Sequence, residues 1–77
     1  MPNFMFAHRS VDGDGEVGFV RSGSFAEALD AIQEQLPASE GDLLELGVQG
    51  FPPARYLCVG KGLADKPAWR PLAQLAA

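Results

Sequence analysis

Asp12-x-Asp14-x-Glu16 sets three carboxylates at alternate positions, the spacing with which the first half of a calcium-binding EF-hand loop presents its oxygens. The rest of that loop does not follow. Val17 stands where the loop requires glycine, and Gly23 where it requires a bidentate acid. The competing reading is a solvated hairpin tip. His8, the single histidine, has the chemistry of a general base or a metal ligand, but no second histidine or cysteine at ligand spacing accompanies it. A strand histidine packed beside Phe4 and Phe6 is the simpler reading. His8 with Cys58 would make a nucleophile pair, whereas a cysteine between Leu57 and Val59 has the character of a small buried hydrophobe. Gly60-Lys61-Gly62 lacks the other glycine and the Ser/Thr of a phosphate-binding loop, and reads as a turn with an exposed lysine. No catalytic, metal or cofactor constellation is complete, so the expectation is a protein that is not an enzyme.

Recognition chemistry is better represented. Trp69 sits beside Arg70, and these two residue types dominate binding hot spots; closing the edge of a small core is the other use of such a tryptophan. The net charge is −4, which argues against direct nucleic-acid binding. From Asp12 to Glu45 there are nine acidic residues against Arg21 alone, while Arg9, Arg55, Lys61, Lys66 and Arg70 make the remainder basic. The acidic stretch is either a solvated face that maintains solubility or a surface that recognises a basic partner.

The elements that would position these residues follow from periodicity. Residues 3–11 alternate, with Phe4, Phe6 and His8 on one side and Met5, Ala7 and Arg9 on the other, as in a strand. The two Asp-Gly pairs of 12–15 predict a hairpin turn, and 16–21 the return strand. Ser24 and Glu27 form a capping box, with the Glu27 carboxylate expected to reach back to the Ser24 amide. It opens a helix over 25–36 whose Phe25, Ala28, Leu29, Ile32 and Leu36 form one stripe and whose Glu27, Asp30 and Glu34 point away. Pro37 ends it. Alternation over 44–49 predicts a third strand. Residues 55–60, apolar on both faces, predict a fourth and most buried one. Beyond a loop at Lys66-Pro67, Pro71 suits the first position of a short terminal helix carrying Leu72, Leu75 and Ala76.

The expected fold is a single α+β domain over residues 1–77, in ββαββ order: three or four mostly antiparallel strands with one amphipathic helix across one face. A β-grasp arrangement is one topology that fits. A lone cysteine fits a reducing, cytoplasmic setting, and no window holds the roughly 20 apolar residues that span a bilayer.

The hairpin with its Asp-Gly turn, followed by Gly23-Ser24-Phe25-Ala26-Glu27-Ala28-Leu29, resembles the N-terminal part of HicB-type antitoxins, which implies a toxin as partner. In size, acidity and layout the whole chain is similar to phage-encoded inhibitors of the anti-CRISPR type, which implies occupation of a basic, nucleic-acid-binding surface of a partner complex. The function expected on these grounds is protein binding. Asp12, Asp14, Glu16, Glu27, Asp30 and Glu34 would supply the electrostatic contacts and Trp69 an anchor. No membrane and no direct nucleic acid are expected as partners, and a homodimer is compatible with the sequence.

Overall fold

The strand and turn signals at the start of the chain are realised as a regular hairpin in the computed structural model, which describes residues 2–75. β1 (Asn3–Arg9) and β2 (Gly15–Arg21) pair antiparallel from Asn3↔Arg21 to Arg9↔Gly15. The turn closes through Ser10 N–H donating to Asp14 O at 2.7 Å and Gly13 N–H to Ser10 O at 3.0 Å. Gly13 sits at φ +96°, a conformation that glycine adopts without steric cost.

α1 (Phe25–Gln35) starts and stops where its caps place it. The Ser24 hydroxyl accepts from the Glu27 amide at 3.2 Å, and Leu36 ends the helix by donating to Ile32 O at 2.8 Å. The reciprocal bond of the capping box is one residue out from expectation: the Glu27 carboxylate accepts from the Gly23 amide at 3.1 Å rather than from Ser24.

β3 (Leu43–Gly47) and β4 (Ala54–Lys61) follow, and then β5 (Pro67–Pro71), which leads into the one-turn α2 (Leu72–Leu75). The sheet order is β2-β1-β3-β4-β5 and every pairing is antiparallel. β2 and β3 flank β1, so they run parallel to each other, and α1 is the crossover that joins them over one face.

Opposed residues of an antiparallel pair share a face. The registers therefore collect Phe4, Phe6, His8, Leu44, Leu46, Tyr56, Cys58 and Trp69 beneath α1. Phe4, Leu44, Leu46, Tyr56, Cys58 and Trp69 bury there with Ala28, Ile32 and Leu36 to form the core. The Phe4 ring meets Phe25 edge-on, with centroids 5.0 Å apart.

Several expectations change. The sheet has five strands in ββαβββ order, because 67–71 is extended and adds to β4, where the sequence predicts a loop at Lys66-Pro67 and no strand before the terminal helix. Proline is tolerated in a strand at a sheet edge, and β5 is an edge strand with Pro67 and Pro71 at its ends. Pro71 thus closes β5, and the terminal helix begins at Leu72; Ala76 lies outside the described residues. A β-grasp does not apply, since it requires a parallel pair. β4 is covered on one face only: Tyr56 and Cys58 are buried, while Val59 is exposed. Gly60, at φ +117°, lies within β4 at an irregularity in its pairing with β5, so the Gly60-Lys61-Gly62 turn begins later than its glycines suggest.

Leu46 is fully buried at the centre of this layer. Leu46→Ala should cost roughly 2–5 kcal/mol in urea unfolding through lost burial and the cavity left behind; a cost below about 1 kcal/mol would show that the core collapses around the gap or lies elsewhere.

Candidate functional site

His8 is held by a carboxylate that is distant in sequence. Asp42, 2% exposed, accepts from His8 Nε2 at 2.8 Å and from the Ser39 amide at 3.0 Å through Oδ2, and from the Val11 amide at 3.1 Å through Oδ1. A bond to a carboxylate requires the proton on Nε2, which leaves Nδ1 facing Glu16 Oε1 at 3.8 Å. The Asp42 backbone accepts from the Cys58 amide at 2.9 Å, and Gly41 donates to Cys58 O at 2.8 Å. One residue thereby ties β1, the hairpin turn, the 37–42 loop and β4 together. Burial by itself pushes the Asp42 carboxyl up, but hydrogen bonds from the Ser39 amide, the His8 ring and the Val11 amide, with the His8 charge, hold it below its ordinary value.

A histidine oriented by a carboxylate is one part of a nucleophilic site. Among the described residues no hydroxyl or thiol is hydrogen-bonded to the imidazole. Cys58, fully buried, turns its Sγ toward Gly60 O at 3.4 Å. The Trp69 ring lies edge-on to His8 with centroids 6.0 Å apart. The contacts of this arrangement fasten the elements to one another.

The second feature is the sheet face that α1 does not cover. Its registers place Met5, Ala7 and Arg9 of β1 beside Val17, Phe19 and Arg21 of β2, and continue through Leu43 and Glu45, Leu57 and Arg55, to Arg70. Phe19 is 70% exposed, Val17 66% and Met5 49%. All four arginines of the chain project from this face, and nine of the ten acids lie elsewhere. Its one acid, Glu45, pairs with Arg55 at 2.9 Å. A shallow groove of ≈ 700 Å³ runs across the middle, between Ala7, Arg9, Val17, Leu43 and Arg55. Exposed apolar side chains interleaved with arginine are the surface composition that marks interfaces.

The expected site residues divide between duties. Asp12 and Asp14 stand exposed at the hairpin tip, and Asp30 on the outer side of α1. Glu16 lies on the helix side of β2, next to His8. Glu27 is occupied in the cap and Glu34 by an ion pair with Lys66. Trp69, 5% exposed, belongs to the core and offers no ring to a partner. The open face escapes a sequence reading because a strand with apolar residues on both sides, as over 55–60, looks doubly covered. Counting helices against faces is the signal that finds it. Compared with protein-family models, with curated proteins and with solved structures, the chain gives no match.

Because the Asp42 carboxyl is depressed in the fold, its stabilisation is present above the unfolded-state value and fades as pH falls through the folded one, a window below about pH 4. Asp42→Ala, which strands three donors, should lose roughly 2–4 kcal/mol at neutral pH and flatten that part of the acid limb. Urea midpoints across a pH series check it; an unchanged acid limb would mean that Asp42 is not the fastener.

Proposed function

We propose that this protein is a non-catalytic protein-binding module that works through the open face of its sheet. The observation that carries the reading is the segregation of side chains by face: every arginine and the exposed Met5, Val17, Phe19 and Leu43 lie on one face of the sheet, which holds a single carboxylate, Glu45. The net charge averages over this separation and hides it.

The composition also favours protein over nucleic acid. The patch contains arginine and no lysine, with methionine and phenylalanine among its apolar side chains, which is the bias of protein interfaces. Phe19 is its single aromatic ring, where sequence-tolerant binding of single strands stacks successive bases on several. The partner is accordingly a protein surface that presents apolar and acidic side chains. Occupying such a surface is the action of an inhibitor or a regulatory subunit, and a HicB-like antitoxin would seat its toxin in the same way.

A second reading keeps the acidic side as the working surface, in the manner of an anti-CRISPR-type inhibitor placed on a basic groove that otherwise holds nucleic acid. What favours it is that the carboxylates of Asp12, Asp14 and Asp30 are exposed and have no ion-pair partner among the described residues.

One comparison separates the two. Immobilised wild type, an Arg9→Gln/Arg55→Gln/Arg70→Gln variant and an Asp12→Asn/Asp14→Asn/Asp30→Asn variant are exposed to lysate of the source cells, and retained proteins are quantified by mass spectrometry. The arginine variant should lose its specific partner by about tenfold or more while the aspartate variant keeps it. Loss in the aspartate variant alone would transfer the function to the acidic side, and retention by both would reject both readings.

A further inference from the structure

The two edges of the sheet are finished differently. β5 carries Pro67 and Pro71, which withhold two backbone donors from any added strand, and it leads directly into α2. β2 runs seven residues, Gly15–Arg21, with no proline and no bulge, and only one of its sides is paired. Natural sheets blunt such an edge with charge, proline or a covering element. Here the edge carries Val17 and Phe19, the two most exposed large hydrophobic side chains among the described residues.

We propose that β2 pairs with the β2 of a second copy, antiparallel about a two-fold axis at Gly18, so that two five-stranded sheets become one continuous sheet. The register follows from the side chains. Opposed residues must share a face, and full overlap of Gly15–Arg21 with itself sets Gly18 against Gly18. Val17 then faces the second copy's Phe19, and Phe19 the second copy's Val17, which gives two aromatic to β-branched pairs on the open face.

The ends of the seam fit this register too. Gly15 falls opposite the second copy's Arg21 on the open face, where the glycine leaves room for the arginine side chain, and Glu16, on the helix side, falls opposite the second copy's Val20. Packing the open faces against each other instead would oppose two sets of arginines, so a second copy is accommodated at the edge and not on the face. The edge pairing lays the two open faces side by side as one larger surface.

The full-length chain is examined by sedimentation velocity and light scattering from about 1 to 200 µM. The expected result is a concentration-dependent species of twice the 8.2 kDa chain mass, which Phe19→Lys converts to monomer without changing the circular dichroism or, in the dilute limit where both are monomers, the unfolding midpoint. Val17→Cys and Phe19→Cys single variants, mixed and mildly oxidised, should give a covalent dimer in much higher yield than either alone, because only the mixture opposes the two thiols. A monomer throughout the range overturns the proposal. So does a dimer that survives Phe19→Lys and shows no preference for 17-to-19 linkage, since its seam then lies elsewhere. Retention of a different protein's strand on β2 in place of a second copy overturns it as well. Arg9, Arg55 and Arg70, which test the open face, lie off β2, so either reading can fail without the other.

Discussion

A sheet has two faces, and among the described residues one helix is long enough to cover one of them. Five strands span about 19 Å between the outermost axes. The eleven residues of α1 make a rod about 16 Å long, which crosses a single face and approaches both outer strands, β2 and β5. Every later feature follows from that shortage. The residues that α1 can reach, Phe4, Leu44, Leu46, Tyr56 and Cys58, become the core. Those on the reverse side, Met5, Val17, Phe19 and Leu43, remain in contact with solvent although their chemistry is that of a core. An uncovered apolar face costs solubility unless charge surrounds it, and the arginines of β1, β2, β4 and β5 provide that charge.

The ends of the layer need a different device, because a domain of this size buries little surface per residue. Asp42 supplies it. A buried carboxylate with three donors is stable only while all three are present, so it fixes where the hairpin turn, the 37–42 loop and β4 meet. His8 is part of this fastening. Its position on the covered face, opposite Leu44, is what brings a titratable ring to a carboxylate 34 residues away.

Much of the fold was legible in local signals. Asp-Gly turns, the Ser24 cap, the stripe of α1 and the alternation of 44–49 are local, and each specified its element within a residue or two. What escaped were properties of the assembled sheet. β5 was hidden because Pro67 and Pro71 argue against a strand anywhere but at an edge, and an edge is defined only once the strand order is known. The open face was hidden because the run from Tyr56 to Val59 looks the same whether one side or both are covered. For the expected site, type was readable and duty was not. Glu27 and Glu34 have the spacing of a recognition stripe, yet one caps a helix and the other reaches Lys66 from a distant strand boundary. Trp69 has the composition of an anchor and the burial of a core residue.

The central claim is that charge and exposure are divided between the two sides of the sheet. Paramagnetic relaxation of methyl and amide protons by a matched pair of charged nitroxides, one anionic and one cationic, reads this division directly. The anionic probe should relax Met5, Val17 and Leu43 preferentially, and the cationic probe Ala26, Asp30 and the hairpin tip. Equal relaxation by the two probes, or protection of Met5, Val17 and Leu43 from both, would contradict it.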